Sequence, residues 1–171
     1  LFNSSFDDYL NDSTLYHQIL ANVPPTRINT QIEPDGSQPL ELARTRSFSY
    51  SVNNTAYFME LGILGIRADI PMLEYEGPEG QSIEKALDFL APYATGQREW
   101  TDEQISPMAE VYPKVERLFR QAAYYYQQER YWEIAASIPT ASPSAYTTEL
   151  YYPKVLISSV DNHQETSDTN K

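Results

Sequence analysis

The chain has 171 residues, enough for one domain with a sizeable apolar core, and nothing in that length calls for a second domain. Its 24 acidic residues outnumber 12 basic ones for a net charge of -12, which argues against a nucleic-acid partner, since phosphate neutralisation needs a clustered Lys/Arg surface. With no cysteine there is neither a disulfide framework nor a thiolate metal site, and no apolar run approaches the roughly 20 residues that span a membrane.

The opening stretch "LFNSSFDDYL" has neither an initiating Met nor a signal-peptide core and reads as processed or truncated. Sequons at Asn3, Asn11 and Asn53 are compatible with a secretory route and an extracellular protein. Residues 8 to 21 place Leu10, Leu15, Ile19 and Leu20 near one helical face. Pro24-Pro25 then predicts a hard stop, because neither ring nitrogen can donate a hydrogen bond. Pro34-Asp35-Gly36 carries turn chemistry.

Residues 41 to 66 contain no proline, and Phe48, Val52, Ala56, Met59 and Ile63 recur at steps of three and four, which predicts one long helix. A second row, Arg46, Tyr50, Asn53 or Asn54, Tyr57, Leu61 and Leu64, follows the same spacing. Two such rows predict an inner, largely buried helix.

The loop "MLEYEGPEGQ" leads to Ser82, placed to cap a helix with Ile83, Ala86, Leu87 and Leu90 on one side. Thr101 and Gln104 have capping-box spacing, and Pro107 leaves room for only a short helix there. Pro113 to about Ala136 gives a third long helical pattern, with Pro113 suited to its first turn. Pro139 and Pro143 interrupt the next segment, and "SAYTTELYYPKVLIS" fits a short helix or a strand. Residues 1 to 160 are expected to form one helical domain, and 161 to 171 a polar, disordered tail. The fold class expected is all-α, built of antiparallel helix pairs.

On a helix Arg46 and Tyr50 are neighbours at i and i+4, Arg44 lies near the helix start, and Asn53 and Asn54 extend the same face. Cations, a phenol and carboxamides suit removal of a proton next to a carboxylate, where an arginine or amide neutralises the charge that builds up. A free phenol ionises near pH 10, so using one as a base at pH 7 costs about 4 kcal/mol, part of which an arginine within roughly 4–6 Å recovers. Spacing alone favours the plainer reading of a surface arginine and a boundary tyrosine on an amphipathic helix.

The stretch "DGSQPLELARTRSFSYSVNNTAYFMELGILG" resembles the central signature of the alginate lyase superfamily, ELxRTxSxxYSxxN, and "GPEGQSIEKALDFLAPYATGQREW" resembles that family's next segment. Together they cover about residues 28 to 105. The resemblance implies an (α/α) toroid, incomplete here, and β-elimination on an anionic uronate polysaccharide without a redox cofactor. It implies that Tyr50 is the catalytic tyrosine and Arg44 the arginine near the substrate carboxylate. In the same comparison Arg46 takes a substrate-binding role, and Asn53 one of substrate contact or helix packing.

One departure stands out: the family carries an Asn-His pair upstream of this signature, and none occurs before Arg44. Asn162-His163 lies on the wrong side of it. The upstream half of the toroid is therefore expected to be missing, leaving a C-terminal fragment. The alternative is a non-catalytic carbohydrate-binding or structural helical protein. No metal site is expected, since Asp7-Asp8, Glu74, Glu76 and Asp102-Glu103 lack converging histidines. His17 reads as an ordinary helix-face residue, and Trp100 and Tyr124 to Tyr126 as packing more than sugar stacking.

Overall fold

The computed structural model describes residues 13–140 and 150–154, and among these the regular structure is helical, with no strand. In chain order the α-helices are α1 Ser13–Ala21, α2 Asn29–Gln31, α3 Pro39–Leu42, α4 Ser47–Arg67, α5 Ile83–Ala94, α6 Tyr112–Tyr126 and α7 Glu129–Ser137. The boundary expected at residue 160 and the polar tail lie outside the described residues, as does most of "SAYTTELYYPKVLIS".

The central helix α4 buries Phe48, Val52 and Met59 completely, as its apolar spacing predicts. Small residues let its neighbours approach closely: a Cβ on Gly62 would lie 2.3 Å from Leu73 Cδ2. Helix α5 is capped as expected, with Ser82 Oγ accepting from the Lys85 amide at 3.0 Å, and Ile83, Ala86, Leu87 and Leu90 are all fully buried. The turn at Asp35 also forms: its carboxylate accepts from the Ser37 amide at 2.9 Å, and hydrogen bonding to Ser37 lowers its pKa below the ordinary value. Gly36 has a φ of +86° and sits against the Lys85 carbonyl, where no Cβ fits.

Helix directions follow from who meets whom. Phe48 at the start of α4 and Tyr93 at the end of α5 both pack edge-on against Trp100, at 5.0 and 4.9 Å, while Gly62 near the end of α4 faces Ile83 at the start of α5. These two helices are antiparallel. Helix α6 runs parallel to α4, since Lys114 in its first turn reaches Asn53, and Tyr126 in its last donates to the Leu73 carbonyl at 3.0 Å. Helix α7 folds back so that Tyr131 packs on Phe119. Inner α4 and α6 against outer α5 and α7 is the layering of an incomplete (α/α) toroid.

Several local expectations are corrected. Pro24-Pro25 do not stop the chain: they open a π-helical turn, Pro24–Ile28, where a missing amide at the first position costs nothing, and the Asn29 amide closes back onto the Pro24 carbonyl. Leu15 and Ile19 are not on a buried face; they are 50% and 58% exposed while Leu20 is buried. Residues 41 to 66 are two helices with a break at Ala43 to Arg46, and α4 begins only at Ser47. Its second row is not buried either, with Tyr57 59% and Leu64 38% exposed. The long helix expected from Pro113 to Ala136 is a hairpin of α6 and α7, reversed at Gln127 in the left-handed conformation with φ 54°. No helix forms at Thr101 to Gln104, because Gln104 is spent on α4 instead.

Candidate active site

The break before α4 shapes the candidate site. Residues 103 to 105 run antiparallel to residues 45 to 47: the Ile105 amide donates to the Thr45 carbonyl at 2.9 Å and the Ser47 amide to the Glu103 carbonyl at 3.0 Å. Gln104 reinforces this strap, its Oε1 accepting from the Ser49 amide at 3.3 Å and its Nε2 donating to Ser49 Oγ at 3.0 Å. Ser47, fully buried, donates to the Glu103 carbonyl at 2.7 Å and accepts from Trp100 Nε1 at 2.8 Å. Trp100 is thus a pin that holds the start of α4, with three aromatic rings around it.

Because the chain turns at residues 43 to 46, Arg44 rather than Arg46 lies on the tyrosine. The Arg44 guanidinium sits 3.5 Å above the centroid of the Tyr50 ring, and its Nη1 donates to Glu41 Oε2 at 3.2 Å. Arg44 is half exposed, so it keeps guanidinium donors for a ligand while the ring and Glu41 fix its plane. Tyr50 is half-buried, and its hydroxyl makes no hydrogen bond among the described residues. Arg46 caps α4 without adopting helical angles, at φ -126° and ψ 52°, and is exposed. Arg46 and Tyr50 remain one helical turn apart, the Tyr50 amide donating to the Arg46 carbonyl at 2.9 Å, while the cation over the Tyr50 ring is Arg44.

The two asparagines separate cleanly. Asn54 Nδ2 donates to Gln38 Oε1 at 2.9 Å, and Gln38, which is buried, donates in turn to Thr55 Oγ1 at 2.8 Å, so Asn54 ties α4 to the loop before α3. Asn53 faces the Tyr50 side, where Lys114 Nζ donates to its Oδ1 at 2.5 Å. Lys114 went unmarked in the sequence because it comes from another helix, and no spacing rule links positions 53 and 114. The Asn53 sequon is mid-helix with Thr55 fully buried, unlike a surface-loop acceptor.

A family model described as "Alginate lyase" matches residues 7–100, more than half of the chain, and that span carries Arg44, Arg46, Tyr50 and Asn53. The chain belongs to the alginate lyase family. Among solved structures, the crystal structure of an alginate lyase from Bacteroides ovatus is similar at 28% identity with a TM-score of 0.78. That match covers 86% of this chain and 39% of the other, so the chain spans well under half of its length. No curated protein matches. The fold is accordingly an incomplete (α/α) toroid of the alginate lyase family. Among the described residues no group of three or more His, Asp or Glu converges on a metal position, and no helix is long and apolar enough to cross a membrane.

Proposed function

We propose that the Arg44–Tyr50 pair is the active site of a polysaccharide lyase that cuts an anionic uronate polymer by β-elimination. The observation that carries this reading is the Arg44 guanidinium stacked 3.5 Å over Tyr50, with donors left over, inside the matched family segment. The proton to be removed lies on C5, next to the sugar carboxylate. Arg44 neutralises that carboxylate, so the negative charge that builds on it as C5–H breaks is stabilised. The electron pair forms the C4–C5 double bond as the C4–O4 bond breaks, and O4 takes a proton from Tyr50 Oη. In the simplest form the same oxygen first takes the C5 proton, so that no other group need turn over.

Arg46 and Asn53 contact the bound sugar beside this pair. No redox cofactor enters the reaction. The setting proposed is extracellular, motivated by the sequons at Asn3 and Asn11; unchanged mobility of the secreted protein after endoglycosidase treatment would remove that support.

The experiment is a panel of alginate, glucuronan and hyaluronan followed by the ultraviolet absorbance of the unsaturated uronate product. Absorbance growing with at least one polymer is expected. Binding without any product would instead favour a non-catalytic carbohydrate-binding protein.

A further inference from the structure

We infer that Lys114 and Tyr57 form a second uronate subsite, holding the carboxylate and ring of a sugar further along the polymer than the one that Arg44 and Tyr50 engage. This rests on the lyase reading of Arg44 and Tyr50 and names the part of the polymer that lies beyond it. Lys114 Nζ reaches Asn53 Oδ1 at 2.5 Å and stands 5.9 Å from the centroid of the Tyr57 ring, so a cation from α6 joins an exposed aromatic on α4. Tyr57 follows Tyr50 by two helical turns on the same side of α4, about 10 Å along its axis, roughly the length of a disaccharide. Asn53 lies between them.

Among the described residues no carboxylate pairs with a lysine there. It stands in the first turn of α6, where the helix dipole disfavours a cation. In a chain with 24 acidic residues it is held by a neutral carboxamide, and it makes no ion pair among the described residues. Its charge therefore remains available to an outside anion. Because it can only donate, Lys114 also fixes the Asn53 carbonyl toward itself and leaves the Asn53 NH2 group unspent among the described residues. A carboxylated sugar over Tyr57 satisfies all three: its carboxylate takes the charge-assisted bond, its hydroxyls take the amide donors, and its apolar face covers a ring that is 59% exposed. In a protein of net charge -12, local cations of this kind must overcome the repulsion of an anionic polymer.

The test is calorimetric titration of the Tyr50→Phe protein, with and without Lys114→Gln, using a tetrauronate and its carboxyl-reduced counterpart. Lys114→Gln is expected to weaken the tetrauronate about tenfold and leave the reduced, neutral sugar unchanged. Tyr57→Ala is expected to weaken both. Equal loss for the two sugars, or no loss for the tetrauronate, overturns the subsite while the lyase reading stands. No tetrauronate binding by the Tyr50→Phe protein, with helicity and melting temperature intact, removes both. Product formation by Tyr50→Phe at the wild-type rate overturns the lyase reading, and the subsite proposal that rests on it falls too.

Discussion

Two arginine–tyrosine stacks sit at opposite ends of the helical layers. At the start of α4, Arg44 lies 3.5 Å over Tyr50; at the start of α7, Arg130 lies 4.3 Å over Tyr131. The second stack is closed: Arg130 donates to Glu84 Oε1 at 2.6 Å and to Asp88 Oδ1 at 2.5 Å, and Tyr131 is fully buried. Burial, with Asp88 adding to it, pushes the Tyr131 phenol above its ordinary range, and burial does the same to Tyr126. The first stack is open, with one carboxylate on the arginine and a hydroxyl bonded to nothing among the described residues. The same pair is a brace where its donors are spent, and where they are not it is open to the ligand of the proposed site.

Breaking the open stack carries the largest effect. Arg44→Ala is expected to lower kcat on the polymer by roughly 10²–10³-fold with little change in melting temperature, since the stack and ion pair it removes are half exposed and contribute little to the fold. Arg130→Met, its counterpart, is expected to leave turnover per folded molecule unchanged; a comparable loss of kcat there would erase the distinction between the two stacks.

Next in size is the pin under the open stack. Ser47→Ala removes bonds to Trp100 Nε1 and the Glu103 carbonyl, and with both partners held it is expected to cost about 1–3 kcal/mol in urea unfolding. A change within error would show that Trp100 holds α4 by ring packing alone. Smaller again is the cost of Arg130→Met itself, about 1 kcal/mol, because its two carboxylates are still 36% and 39% exposed and water replaces much of the interaction.

The closed end also predicts a pH dependence. Tyr126 and Tyr131 are raised in the fold from an ordinary value of 10.0, so the unfolded chain gives up its protons first as pH rises. Their stabilisation is intact below about pH 10 and is lost as the pH climbs above it. Tyr131→Phe should therefore flatten the alkaline fall in stability followed by circular dichroism, and an unaltered slope would count against its burial.

Much of this was legible in the sequence. The stripe Phe48, Val52, Met59 and the Ser82 cap are local periodicities, and they appear as predicted. The pairing of Arg44 with Tyr50 depended on resemblance, because the geometry that produces it is not periodic: it comes from a break at residues 43 to 46 imposed by the strap at residues 103 to 105. Gln104 shows why the short helix failed, since a side chain with capping-box spacing found better partners at Ser49. Lys114 was invisible for the same reason, being joined to Asn53 only through the packing of α6 on α4.

The central claim is that Tyr50 does chemistry and Tyr131 does not. The most direct measurement is kcat for Tyr50→Phe beside Tyr131→Phe on a polymer that the wild-type chain cuts, each normalised to folded protein. A loss of roughly 10²–10⁴-fold is expected for Tyr50→Phe and none beyond the folded fraction for Tyr131→Phe. Wild-type turnover by Tyr50→Phe would contradict it.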